Sequence, residues 1–155
     1  MKKYFSILLA LFSINAYAQT SLADIPLKNL NNQPVSLNQY KGKDVYVKVW
    51  ASWCPFCLAG LADLDKLSAE KDKNFEVITI VSPTHRGEKS TEDFIRWYNG
   101  LDYKNITVLL DEQGEIIKRA RIRGYPSSII LDKELNIKKS QAGHLTNEQI
   151  KKVFE

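Results

Sequence analysis

Residues 43–50, KDVYVKVW, alternate polar and apolar side chains and are rich in β-branched positions, a period of two that predicts a strand entering a sheet. Residues 75–81, FEVITIV, form a nearly continuous apolar run, as expected for a strand buried on both faces. Between them Leu58, Leu61, Leu64 and Leu67 recur at helical spacing and predict one helix over Phe56–Ala69, with Pro55 near its first turn, where a missing N–H costs nothing. Ser90-Thr91-Glu92-Asp93 supplies a cap and an acidic first turn for a helix through Tyr98 that stops near Gly100. Thr107–Leu110 reads as a short strand, 111–114 as a turn, and Glu115–Ala120 as a short helix. Ser127–Leu131 and Asn136–Ala142 form a hairpin around the turn 132–134, and Thr146 opens a last helix through Phe154. Ahead of all these, Pro26, Asn31, Asn32 and Gln33 predict an extended stretch and a turn before Val35–Leu37. Strands alternating with helices, then a hairpin and a helix, imply an α/β architecture: a sheet of mixed strand direction with helices on both faces. There is no internal repeat, low-complexity tract or glycine-rich phosphate loop.

The chain has 155 residues, 44% hydrophobic and 26% charged, which fits one globular domain. Its first residues set a compartment. Lys2 and Lys3 precede an apolar run, Tyr4–Ile14, and then Ala16-Tyr17-Ala18, the pattern of a secretory signal peptide cut after Ala18. The expected organisation is therefore a signal over 1–18 and a single domain over 19–155, located in the periplasm; an uncleaved N-terminus would give a membrane-anchored form. No cysteine stands at the cut, which disfavours a lipoprotein. Without Lys2 and Lys3 the net charge of +4 falls to +2, and the short basic clusters around Arg119, Arg121, Arg123 and Lys138-Lys139 are spaced as solvated faces, so nucleic acid is not an expected partner.

Composition changes the picture most at WASWCPFCLAG, residues 50–60, which holds both cysteines of the chain. Three readings compete: a structural staple, half of a metal site, or a redox pair. A bridge across a single turn closes too short a loop to stabilise much. Zinc generally takes four ligands, and only two distant histidines, His85 and His144, are available, both read as surface or turn residues. The redox reading remains, with no metal. At a strand-to-helix junction, unpaired N–H groups and the helix dipole favour a thiolate on Cys54, whose pKa should fall below the free value of about 8.5. Cys54 is thus the candidate nucleophile, and Cys57, one turn on between Phe56 and Leu58, the more buried resolving thiol.

Trp50 to Cys57 after a strand, with Gly124-Tyr125-Pro126 before a later one, resembles the thioredoxin fold and in particular its exported TlpA/ResA branch. The resemblance implies a thioredoxin-like fold with a central mixed sheet, helices on both faces and an extra N-terminal extended segment or hairpin. It further implies that Pro126 is cis and lies against the cysteines, that the Tyr125 backbone can pair with an extended substrate segment, and that Trp53, Tyr125 and Pro126 contact substrate. Val81-Ser82-Pro83 and the stretch from Phe94 to Tyr103 are similar to the thioredoxin-like domain fused ahead of methionine sulfoxide reductase modules in some bacterial envelope proteins. Two positions depart from the family pattern. Lys48 stands where thioredoxin buries an acid that helps deprotonate the resolving cysteine, and Gly60 replaces a glutamate common three residues after the second cysteine. Lys48 is expected to pack its stem and leave its ammonium in solvent.

The linker Pro55-Phe56 offers no charge or side-chain donor to stabilise a thiolate, unlike the histidine of strongly oxidising relatives, so a reducing pair is expected. The implied activity is a periplasmic thiol–disulfide oxidoreductase without cofactor. Its expected partners are a disulfide-bearing protein, first a methionine sulfoxide reductase, and an integral-membrane electron donor of the DsbD/CcdA type. The alternatives are reduction of apocytochrome thiols during haem attachment and, from another class, a copper chaperone using Cys54, Cys57 and His85.

Overall fold

The computed structural model describes residues 20–155; the expected signal peptide over 1–18 and its cut after Ala18 lie outside the described residues. The strands are β1 (Leu27–Lys28), β2 (Pro34–Val35), β3 (Asp44–Val49), β4 (Phe75–Val81), β5 (Thr107–Leu110), β6 (Ser127–Leu131) and β7 (Ile137–Ala142). The helices are α1 (Pro55–Ala59), α2 (Leu61–Ala69), α3 (Thr91–Tyr98), α4 (Glu115–Arg119) and α5 (Asn147–Val153), with a 3₁₀ turn at Leu37–Tyr40. One mixed sheet runs in the order β2-β1-β5-β4-β3-β6-β7. The central β5-β4-β3 pairs are parallel, and the flanking pairs β1-β5, β3-β6, β6-β7 and β1-β2 are antiparallel.

Burial explains the positions of the strands. Residues 45–49 of β3 and all of β6 are buried, because helices cover one face and a second apolar layer covers the other. On the first face Tyr46, Trp50, Val77 and Ile130 meet Leu61, Leu64 and Leu67 of α2, Phe94 and Tyr98 of α3, and Ile150 of α5. On the second, Val45, Val47, Ile78 and Ile129 meet Ile116 and Ile117 of α4 and the N-terminal residues Leu22, Ile25 and Leu37. The outer strands differ: β2 is two residues long and begins at Pro34, while β7 exposes Lys138, Lys139 and Ser140.

The helix expected over Phe56–Ala69 is two helices meeting at Gly60. The cause lies outside the segment. A Cβ on Gly60 would stand 2.6 Å from the His144 ring and 2.8 Å from Lys48 Nζ, so the bare glycine makes room for two side chains from β3 and the loop before α5. The starts of α3 and α5 carry side-chain caps: Ser90 Oγ accepts from Asp93 N, and Thr146 with Gln149 forms a capping box. Buried Asp111 receives the N–H groups of Glu115 and Ile116 and the hydroxyl of Ser82, tying β4, β5 and α4 together.

Candidate functional site

The end of β3 delivers Trp50 into the core, and the chain turns through Ala51–Trp53 into α1. Cys54 is the N-cap of that helix and Pro55 occupies its first position, so the sulfur sits where backbone N–H groups lack helical partners. Cys54 and Cys57 are joined in a disulfide with a Cα–Cα distance of 5.2 Å. The Cys57 N–H donates to Cys54 Sγ at 3.2 Å. Cys57 is fully buried and Cys54 is 4% exposed.

Around the pair the surface is aromatic. Trp53 is 51% and Phe56 79% exposed, unusual for side chains of their size. Trp53 stands against the Tyr125 ring, centroids 5.9 Å apart, and the Arg86 guanidinium lies 5.6 Å over the other partner's centroid, that of Tyr125. Arg86 is fixed there by donating to the Ile122 carbonyl at 2.6 Å. Tyr125 packs against the layer that contains both cysteines, and its bond to Pro126 is cis, as the resemblance implies. Burial raises the Tyr125 pKa, so the phenol stays neutral at physiological pH. The structure thus brings Trp53 and Tyr125 together beside Cys54–Cys57 with Pro126 next in chain.

Two features escape a reading of the sequence. Glu88 is buried and accepts from the Ser52 N–H, the Ser52 hydroxyl and the Lys89 N–H. Lys89 Nζ in turn reaches Ser52 Oγ at 2.8 Å and lies over the Trp97 ring. This carboxylate, 36 residues from Ser52, fixes the crossing that presents Cys54. Nothing in the local sequence signals it.

The second is a correction. Lys48 does not reach solvent: it is 2% exposed on the helical face of β3, and its Nζ donates to the Cys57 carbonyl at 3.1 Å. Burial lowers its pKa to about 8, because the charged form loses its water. His144 faces the same point above Gly60 from the loop before α5. Partial burial and then the Lys48 charge hold the His144 pKa below the usual histidine value, against the pull of Asp63. His85 is elsewhere, its Nε2 on the Glu112 carbonyl at 3.0 Å and its ring over Gly114. Among the described residues no three His, Cys, Asp or Glu side chains are grouped so that they could hold a metal ion.

Comparison with known proteins follows the same lines. A family model described as Redoxin matches residues 16–154. The sporulation thiol-disulfide oxidoreductase A of Bacillus subtilis is 27% identical over 154 residues, covering 96% of this chain and 90% of that protein. Among solved structures, the pneumococcal exposed lipoprotein thioredoxin Etrx1 of Streptococcus pneumoniae is 42% identical, with a TM-score of 0.80 over 84% of this chain and 97% of that one. The N-terminal domain of PilB from Neisseria gonorrhoeae is 32% identical, with a TM-score of 0.75 over 81% and 83%. The fold is thioredoxin-like.

Proposed function

The chain belongs to the Redoxin family and is a thiol–disulfide oxidoreductase, and on that premise we propose that it works as a reductant in the cell envelope, regenerating a methionine sulfoxide reductase. The observation that carries the direction of electron flow is the Cys54–Cys57 pair itself. Its sulfur at the helix start receives one N–H, and the linker Pro55-Phe56 adds no charge, so the dithiol is not held strongly in its reduced form.

The cycle follows from the geometry. In the reduced protein the Cys54 thiolate attacks one sulfur of a substrate disulfide, forming a mixed disulfide and expelling the first substrate thiolate. Cys57 then loses its proton and attacks Cys54 Sγ, which releases the second substrate thiol and closes the Cys54–Cys57 bond. The buried position of Cys57 keeps external thiols away from the resolving sulfur, while Trp53, Tyr125 and Pro126 offer the substrate an aromatic surface and a backbone to pair with. Reopening the disulfide needs two electrons from outside the protein, which an integral-membrane donor of the DsbD/CcdA type supplies.

A methionine sulfoxide reductase that uses cysteine ends its turnover as a disulfide and needs such a dithiol. The similarity of the segment from Phe94 to Tyr103 to the domain fused to such reductases supports this client. Phe94 and Tyr98 are core residues here, so within that segment the surface contribution falls to exposed Arg96, Asn99 and Asp102 with half-buried Trp97 and Tyr103. Export is supported by the signal-like N-terminus and by a relative described as an exposed lipoprotein; among the described residues no helix is long and apolar enough to cross a membrane. The test is reconstitution with the reduced protein as sole electron source, offered an oxidised methionine sulfoxide reductase or an oxidised apocytochrome CxxCH peptide. A clear rate preference for the reductase is expected. Faster reduction of the haem-site peptide assigns the protein to cytochrome maturation instead.

A further inference from the structure

The resolving step releases a proton from one of the most buried side chains in the molecule, and the family's usual acceptors are absent: position 48 is lysine and position 60 is glycine. What fills that space is a buried amine and a solvent-facing imidazole. Lys48 Nζ is bonded to the carbonyl of Cys57 itself at 3.1 Å, and Nζ and the His144 ring both stand within 3 Å of the position a Gly60 Cβ would take, at 2.8 Å and 2.6 Å.

We infer that Lys48 and His144 form the route by which the Cys57 proton leaves, Lys48 as its acceptor and His144 as the positioning residue that passes it to water. The inference rests on the resolving role proposed for Cys57. In the neutral amine one N–H keeps its bond to the Cys57 carbonyl while the nitrogen lone pair is free to take the thiol proton. Cys57 then attacks Cys54 Sγ, the Cys54–substrate bond breaks, and the substrate thiolate takes a proton from solvent. Lys48 returns its extra proton through His144, so the cycle balances without another reactant.

The surroundings leave little else to do this. Tyr46 shares the face of β3, but burial pushes its pKa up to about 12 and its hydroxyl is paired with Ser128. Across the sheet Lys48 is flanked by Thr79 of β4 and Ser128 of β6, neither of which titrates. From α1 comes the Cys57 carbonyl, and from α2 only Asp63 acts, at a distance, on His144. With its pKa lowered to about 8, about one tenth of Lys48 is neutral at pH 7, against well under a hundredth for an ordinary lysine. A conventional lysine at this site would be useless as a base; a desolvated one is poised.

The experiment separates the two half-reactions. Mixed-disulfide formation is measured by capture with Cys57→Ser, and its failure would sink the cysteine assignment rather than the proton route. Resolution is measured in single turnover as release of the second substrate thiol. Lys48→Met should capture normally and resolve more slowly at pH 7, on the order of 100-fold, the usual scale of a general base. The wild-type rate should climb with pH and level off above about 8, whereas the Lys48→Met rate should keep rising with ionisation of the thiol. Lys48→Arg, which keeps the charge but cannot act as a base, should stay slow; a wild-type rate in that variant would show a charge effect and overturn the route. His144→Gln should slow resolution severalfold at pH 7 and recover when imidazole is added to the buffer. Unchanged resolution in His144→Gln overturns the relay even where Lys48→Met fails to fold.

Discussion

Glu88 holds Ser52 by both of its polar groups, the carboxylate taking the backbone N–H at 2.5 Å and the hydroxyl at 2.6 Å. Because Ser52 lies two residues before Cys54, the loop after β4 governs how Cys54, the proposed nucleophile, is presented. Glu88→Ala would leave a buried N–H without a partner and should cost about 2 kcal/mol of stability. Glu88→Gln, which can still accept one bond, should lose less. Urea denaturation of the oxidised proteins measures both, and a Glu88→Ala midpoint equal to wild type would show that Ser52 finds water instead.

The two cysteines should divide the reaction between them. Cys57→Ser is expected to attack once and stall as a mixed disulfide, while Cys54→Ser captures nothing. Mass spectrometry of the trapped species decides the matter, and equal capture by Cys54→Ser would reverse the assignment.

Lys48 gives a stability prediction with a definite sign. Its folded pKa of about 8 lies below the unfolded value of 10.5, so the unfolded chain binds the proton more tightly and the charged lysine destabilises the fold at neutral pH. The penalty is complete below pH 8, shrinks as pH rises from 8 to 10.5 and is absent above that. Oxidised Lys48→Met should therefore be more stable than wild type by up to about 3 kcal/mol at pH 7, with the gap closing across that window. Above pH 10 both proteins should weaken together, since buried Tyr46 and Tyr98, with pKa values raised to about 12, resist an ionisation that the unfolded chain allows. A gap independent of pH would mean that packing, not charge, sets the difference.

The exposed aromatic face should matter for protein substrates alone. Trp53→Ala removes a half-exposed ring that rests against Tyr125, and is expected to raise KM for a protein disulfide roughly tenfold, the scale of losing a contact worth about 1.4 kcal/mol. Reduction of a small disulfide such as oxidised glutathione should change little. Equal losses on both would place Trp53 in support of the cysteines rather than of the substrate.

The elements were legible wherever the pattern was local. The alternation in residues 44–49, the apolar run of 75–81 and the cap at Ser90 each correspond to a strand or helix within a residue or two. The cysteine pair could be read because its spacing places both sulfurs on one turn. Lys48 could not, because a lysine is expected to carry its ammonium to solvent, and only the helices packed on that face of β3 bury it. Gly60 illustrates the same limit: leucine periodicity runs straight through it, and the break answers to Lys48 and His144, which are 12 and 84 residues away in the chain. Glu88 sits in a polar loop whose composition predicts solvent, and its burial is decided by Ser52.

The two rims of the sheet carry a consequence of their own. An unpaired strand invites another chain to add itself by backbone hydrogen bonding, and a protein that must release each client after exchange is harmed by such adhesion. Here one rim is a two-residue strand opened by Pro34, too short and too poor in donors to act as a template, and the other lines its surface with Lys138 and Lys139, which would have to be stripped of water or set against like charges by an incoming copy. Replacing both lysines by valine would leave the cysteines untouched and turn that rim into a surface on which copies collect.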